Sequence, residues 1–382
     1  METQRTLTIL LPDDADLRQT VLAFQQVQQE LSAPCFHAGQ PLGPLALQRL
    51  CYHQVKGTLN AQMTISAMRL TAGAYASARG NGKPAKRPFA FRRARALFLI
   101  GKRGRDADFR ADGTLSIWTV AGRKRVSYAI PDYFRPMFTA AKELDSLTVI
   151  ERAGKLIGRL TLTLDVPEPA GVIPVGIDLN ETNALVAADP DHRTLFISGK
   201  AVKVKNRRTY KTRNRLKRKL AAKKAERRST RSVRRLLKRL GRQQSNRTST
   251  FAKQVAKTLV AWAPANAVLV FEDLHIPQPE QGEVKGTSLR RRLSEWQRGA
   301  IRRAVESKAH LAGLAIAEVN PAYTSKICSR CGLRGKRKRH VFTCPHCGFT
   351  EHADVNAAYN IRNRFTHLRV SGLVSSSPEA QS

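Results

Sequence analysis

Cys328-Ser329-Arg330-Cys331 and Cys344-Pro345-His346-Cys347 stand twelve residues apart, and seven residues further on comes Asp354, in His352-Ala353-Asp354-Val355-Asn356-Ala357-Ala358. Two Cys-x-x-Cys knuckles supply four thiolates, the soft ligand set of a closed, tetrahedral zinc site. The stretch around Asp354 is compatible with a helix. An acid in that position gains meaning if acids from elsewhere in the chain meet it.

Working upstream, two apolar runs each end in an acid. Val172-Ile173-Pro174-Val175-Gly176-Ile177-Asp178-Leu179-Asn180 reads as a buried strand carrying Asp178, and Ala267-Val268-Leu269-Val270-Phe271-Glu272-Asp273-Leu274 as a second. Asn183–Ala188 and Thr194–Ile197 read as antiparallel strands, and Leu314–Val319 as a third buried strand. Acid on a first strand, acid on a later strand and acid on a C-terminal helix is the arrangement of an RNase H-like core. Three such carboxylates can hold two divalent cations about 4 Å apart and stabilise the attacking and leaving oxygens of a phosphodiester. Hard oxygen ligands suit magnesium. Strand alternation sends Glu272 and Asp273 to opposite faces, and the residues favour Glu272 without deciding between them.

The chain has 67 Lys plus Arg against 29 Asp plus Glu, a formal charge of +38. An excess of that size points to a polyanion, nucleic acid above all. It is concentrated in 203–242, with 20 Lys or Arg and one acid, Glu226. Leu216, Leu220, Val233, Leu236, Leu237 and Leu240 make a narrow apolar stripe there, so the segment reads as one or two long helices with a thin docking seam. A further helix is expected over 248–263, a polar loop over 278–288 and a helix over 289–311. Arg334, Lys336, Arg337, Lys338 and Arg339 form a second basic cluster between the knuckles. Tyr323, Phe342, Phe349 and Tyr359 are candidates for stacking on unpaired bases, with core packing as the competing role. With four correctly spaced cysteines, His340, His346 and His352 receive no ligand role.

The N-terminal half has a different texture. A strand over 5–11 precedes a helix capped by Asp13 or Asp14 and running to about Ser32, and a second helical region spans 44–80. Residues 81–93, rich in Gly, Lys, Arg and Pro, read as a linker, and β-like runs recur between 94 and 168, among them 96–100, 115–120, 126–130 and 159–164. Val166-Pro167-Glu168-Pro169-Ala170-Gly171 is the clearest domain boundary. Residues 370–382 read as a disordered tail. Cys35 and Cys51 read as small apolar residues in helices, and free thiols beside a metal knuckle suit a reducing cytosol. Neither a signal-peptide pattern nor a run of eighteen apolar residues is seen, so no membrane partner is expected.

Four motifs carry a family resemblance: Gly176-Ile177-Asp178-Leu179, Phe271-Glu272-Asp273-Leu274, Thr324-Ser325-Lys326-Ile327-Cys328-Ser329-Arg330-Cys331-Gly332 and Asp354-Val355-Asn356-Ala357-Ala358-Tyr359-Asn360-Ile361. Over 172–365 they resemble the TnpB family of transposon-encoded, RNA-guided DNA nucleases, related to the miniature type V CRISPR effectors. Asn180 stands where that family often has Gly; Asn tolerates unusual backbone angles nearly as well. The resemblance implies an α+β multidomain chain. A small wedge-like β-barrel (1–12 and 94–168) would carry a helical recognition insert (13–80). A RuvC-like, RNase H-like α/β domain (172–323 and 351–366) would contain a zinc ribbon (324–350). It further implies Asp178, Glu272 and Asp354 as catalytic magnesium ligands, with two ions, and zinc on Cys328, Cys331, Cys344 and Cys347. Guide RNA and double-stranded DNA would be the partners. Arg207, Arg208, Lys211, Arg215, Lys219, Arg227, Arg231 and Arg235 would line the nucleic-acid channel. The expected setting is the prokaryotic cytoplasm beside the nucleoid, with a monomer favoured. Rival activities are strand transfer by a transposase, guide-dependent repression without cutting, and structural RNA binding.

Overall fold

The computed structural model describes residues 1–180, 182–273 and 298–370, and divides at Asp165/Val166 into two compact units. The expected loop over 278–288, the start of the helix expected at 289 and the tail after 370 lie outside the described residues.

The first unit holds β1 (Glu2–Leu10), α1 (Ala15–His37), α2 (Pro44–Val55), α3 (Ala61–Gly80), β2 (Arg95–Leu99), β3 (Ala107–Phe109), β4 (Thr114–Thr119), β5 (Gly122–Ser127), α4 (Arg135–Thr139), β6 (Ala141–Arg152) and β7 (Lys155–Asp165). Asp14 caps α1 by accepting from the Leu17 N–H at 2.9 Å, as Asn60 caps α3 through Met63 at 2.7 Å. Leu17, Val21, Phe24, Val27 and Leu31 are buried along one face of α1, which runs past the expected end to His37. The helical region expected as one piece breaks between Val55 and Ala61. Cys35 and Cys51 are buried free thiols, and burial pushes Cys35 up to about 11. The strands expected for a small barrel fall into two antiparallel sheets, β1-β7-β6-β2 and β3-β4-β5, with one further bridge between Leu10 and Ala129.

The second unit is built on β8 (Ile173–Asp178), β9 (Asn183–Ala188), β10 (Thr194–Ser198), α5 (Lys200–Ala225), α6 (Arg231–Trp262), β11 (Ala267–Glu272), α7 (Arg298–Leu311), β12 (Ala315–Val319), β13 (Lys336–Lys338), β14 (Val341–Thr343), β15 (Thr350–His352) and α8 (Ala353–Val370). Its main sheet has the order β10-β9-β8-β11-β12; β8, β11 and β12 run parallel while β8-β9-β10 is an antiparallel meander. Both faces are covered, which is why β11 reads as an unbroken apolar run. On one face Val175, Ile177, Leu269 and Phe271 pack with Val255, Ala256 and Leu259 of α6 and Ile301 and Val305 of α7. On the other, Val186 and Ala188 meet Val355, Ala358 and Tyr359 of α8, while Val268, Val270 and Val319 meet Ile361 and Phe365.

Gly176 decides how closely α8 lies on the sheet. A Cβ there would stand 2.0 Å from the Ala358 carbonyl oxygen and 2.7 Å from the Arg362 nitrogen, so the helix backbone rests directly on β8. The helix expected separately over 248–263 is instead continuous with α6. α5 and α6 form an antiparallel pair bridged by Arg213 to Gln244 at 3.0 Å and Arg247 to Asn206 at 2.9 Å, and the leucines of the expected stripe are half-buried. Among the described residues no helix is long and apolar enough to cross a membrane.

Candidate metal centres

Asp178 is the last residue of β8 and Glu272 the last of β11. The parallel ladder pairs Phe271 with Ile177, so the two acids are level on adjacent strands. Ile177 and Phe271 face α6 and α7, and alternation therefore turns Asp178 and Glu272 to the α8 side. Asp354, in the first turn of α8, lies on that same side. Three acids far apart in sequence thus share one end of one sheet face, and the alternation left open by sequence favours Glu272.

Polar neighbours fix each carboxyl. Asn180 Nδ2 donates to Asp178 Oδ2 at 3.1 Å, and its Oδ1 accepts from the N–H groups of Thr182 and Asn183 at 2.9 and 2.8 Å. Asn180 is absent from the described residues with positive φ, so it acts here through hydrogen bonds and not through an unusual backbone angle. Asn183 Nδ2 donates to Asp354 Oδ2 at 2.9 Å and Arg337 Nη2 to Asp354 Oδ1 at 2.9 Å. The Thr324 hydroxyl donates to Glu272. Asp178 is 9% exposed and Asp354 1%. Burial first, then the charges of Glu272 and Asp354, push the Asp178 carboxyl up to about 7 against the pull of Asn180 and Arg337.

The cysteines form a second centre. Cys328 and Cys347 sulfurs lie 3.7 Å apart, Cys331 and Cys344 3.5 Å, and all four lie within 4.8 Å of one another. A tetrahedron with Zn–S bonds of about 2.3 Å puts sulfurs roughly 3.8 Å apart, so the four could hold zinc as they stand. The knuckles are near copies. Gly332 and Gly348 follow them at φ +76° and +68° and donate back to the Cys328 and Cys344 carbonyls at 2.9 and 3.1 Å. Burial would raise Cys344, but the backbone N–H groups of Cys347 and His346 outweigh it and hold the thiol down to about 6.

α8 joins the two centres. Asn356 accepts from the Ser329 N–H at 2.9 Å and donates to the Ile327 carbonyl at 2.8 Å, Asn360 donates to Thr324 and Ile327 carbonyls at 2.8 Å, and Asn363 reaches the Ser329 carbonyl at 3.2 Å. Sequence reading assigned no part to these asparagines, nor to Asn183 or Thr324. The spacing of 356, 360 and 363 on one helical face was the available signal.

Of the basic residues named from sequence, Arg337 reaches the acids. Arg334, Lys336, Lys338 and Arg339 are exposed around it, and Arg207, Arg208, Lys211, Arg215, Lys219, Arg227, Arg231 and Arg235 are exposed on α5, α6 and the turn between them. Phe342 and Tyr359 are buried and Phe349 packs beside the cysteines, whereas Tyr323 is exposed. His340 and His352 stack at 5.6 Å next to Asp354, and with it form a group that could also hold a metal.

Residues 299–361 match the family model for the Cas12f1-like TNB domain. Parts of this chain are similar to TnpB-like and Cas12f1 proteins. A TnpB-like protein of Aquifex aeolicus is 36% identical over 98 residues, 24% of this chain and 31% of that protein. A CRISPR-associated endodeoxyribonuclease Cas12f1 from an uncultured archaeon is 39% identical over 77 residues, 18% of this chain and 15% of the nuclease. The matches therefore span less than a third of these TnpB-like and Cas12f1 relatives. Among solved structures, a Cas12f1–sgRNA–target DNA complex aligns over 94% of this chain and 99% of its own, at 18% identity and a TM-score of 0.38. A CasPhi-2 (Cas12j) complex with crRNA aligns over 100% and 99%, at 11% identity and a TM-score of 0.49.

Proposed function

We propose that this chain is a transposon-encoded, RNA-guided DNA endonuclease of the TnpB type, cutting phosphodiesters at Asp178, Glu272 and Asp354 on a RuvC-like sheet. The observation that carries the reading is the convergence of those acids on one sheet face, with two of them buried. A buried Asp178 carboxyl, its proton affinity raised by burial and by the nearby charges of Glu272 and Asp354, fits a divalent cation, and an all-oxygen donor set fits magnesium. Two magnesium ions held there would supply charge stabilisation for the attacking and leaving oxygens of the scissile phosphate.

The chain's own residues do the rest. Asn180, Asn183 and Thr324 hold the three carboxyls in place, so that little reorganisation is left for the reaction. Arg337 balances Asp354 and stands ready to face a phosphate. Zinc on Cys328, Cys331, Cys344 and Cys347 would fix the hairpin bearing Arg337 and, through the asparagines of α8, the helix bearing Asp354. The exposed cations of α5 and α6 would grip a guide–target heteroduplex by its backbone, leaving sequence choice to base pairing. Each phosphate neutralised on duplex DNA adds about −0.9 to the slope of log affinity against log salt.

The test is to purify the chain with the RNA that travels with it and offer the complex a randomised DNA library in magnesium. Cutting at sites matched to that RNA is the expected result. Binding to matched DNA that stays intact would leave a guide-dependent repressor. Joining of transposon ends would leave a transposase.

A further inference from the structure

Tyr323 is 59% exposed, yet its backbone lies at φ +63°, a region that side chains other than Gly, Asn and Asp rarely adopt. The surrounding chain holds it there. The Tyr323 carbonyl accepts from the N–H groups of Lys326 and Ile327 at 2.8 and 3.1 Å, Arg364 donates to the Ala322 carbonyl at 2.9 Å, and Asn360 donates to the Thr324 carbonyl at 2.8 Å. The strain buries no ring; it sets an aromatic outward, one residue before the threonine whose hydroxyl holds Glu272. Two cations come within reach of that ring, Lys326 Nζ at 5.7 Å and the Arg334 guanidinium at 5.8 Å from its centroid. An outward aromatic flanked by exposed cations is the pairing that takes an unpaired base and its phosphates.

We propose that Tyr323 is a positioning residue: its ring stacks on an unpaired base of the strand being cut, and Lys326 and Arg334 take the adjoining phosphates. Stacking there sets the strand's register relative to Glu272. The inference rests on the nuclease reading, but its test does not need cutting. The full chain with its RNA, carrying Asp178→Ala so that the probe survives, is offered single-stranded DNA bearing 2-aminopurine. Base quenching and affinity are read together.

Tyr323→Ala should weaken binding by about tenfold or more and abolish the quenching, while Tyr323→Phe should keep both within about twofold. Tyr323→Gly removes the ring and relieves the backbone together; it should bind as weakly as the alanine variant while melting higher than it. In the cutting-competent chain, Tyr323→Ala should raise KM more than it lowers kcat. Wild-type affinity and quenching in both the alanine and glycine variants would overturn the proposal, as would a phenylalanine variant that fails like alanine. If the parent chain never cuts but Tyr323 still governs quenching, the nuclease reading falls and the stacking site stands.

Discussion

The two centres are built on opposite principles although one helix serves both. The cysteine centre is preformed: its four sulfurs lie within 4.8 Å of one another, two pairs at 3.5 and 3.7 Å, and two glycine-closed knuckles pin the backbone. The acid centre is unfinished: three carboxyls share one end of a sheet face, and Asp178 is held near neutrality by burial and by the charges of the other two. A soft, structural site can be assembled locally by the chain around it. On the proposed function, the acid site would be a hard-ion site left electrostatically unsatisfied until a cation arrives.

The largest expected effect breaks the unfinished side. Asp178→Ala, Glu272→Ala or Asp354→Ala should each remove cutting to below detection while circular dichroism, zinc content and RNA binding stay as in the parent; residual cutting by any of them takes that residue out of the site. The next breaks the finished side. Cys328→Ser should lose zinc by metal analysis and unfold the knuckle region, because metal binding there is folding free energy, about 10 kcal/mol or more in small zinc modules. A variant with unchanged zinc and melting temperature would refute the assignment.

A third prediction sharpens the contrast through pH. The Asp178 carboxyl is raised from 3.8 to about 7 on folding. A raised acid contributes stability that is full below the unfolded value and is lost as pH rises through the folded one. At 1.36 kcal/mol per pKa unit the swing is at most about 4 kcal/mol. Magnesium should therefore raise the melting temperature more at about pH 8 than at about pH 5, and an equal rise at both would count against the crowded site. The smallest effect is steric. Gly176→Ala forces a Cβ into the Ala358 carbonyl and should lower stability by about 1–3 kcal/mol. Cutting should fall further than that loss explains, because α8 carries Asp354. A drop in melting temperature with full activity would show that the helix can shift without moving the acid.

The cysteine centre was legible because its information is local spacing. Asp178 and Glu272 were legible as ends of apolar runs and Asp354 as the start of a helix, but what favours Glu272 over Asp273 is the register with β8 and the faces of Phe271 and Ile177. β6 went unread for a physical reason: Asp145 sits at a core position of that strand, 1% exposed, answered by Thr163 at 2.9 Å and Arg103 at 3.2 Å. A buried acid breaks the apolar alternation on which strand reading depends. The continuity of α6 was hidden by Gly241 and the polar run after it, which look like a break yet lie within the helix. Of the four aromatics, exposure separates Tyr323 from the other three, and composition carries no exposure.

The asparagine contacts of α8 have a practical consequence. Because Asn356, Asn360 and Asn363 bind the loop that presents Cys328, stripping zinc should disturb the helix start where Asp354 sits. A chelator and an acid substitution would then look alike in any assay that scores broken DNA. Telling them apart takes two metals counted separately on the same sample.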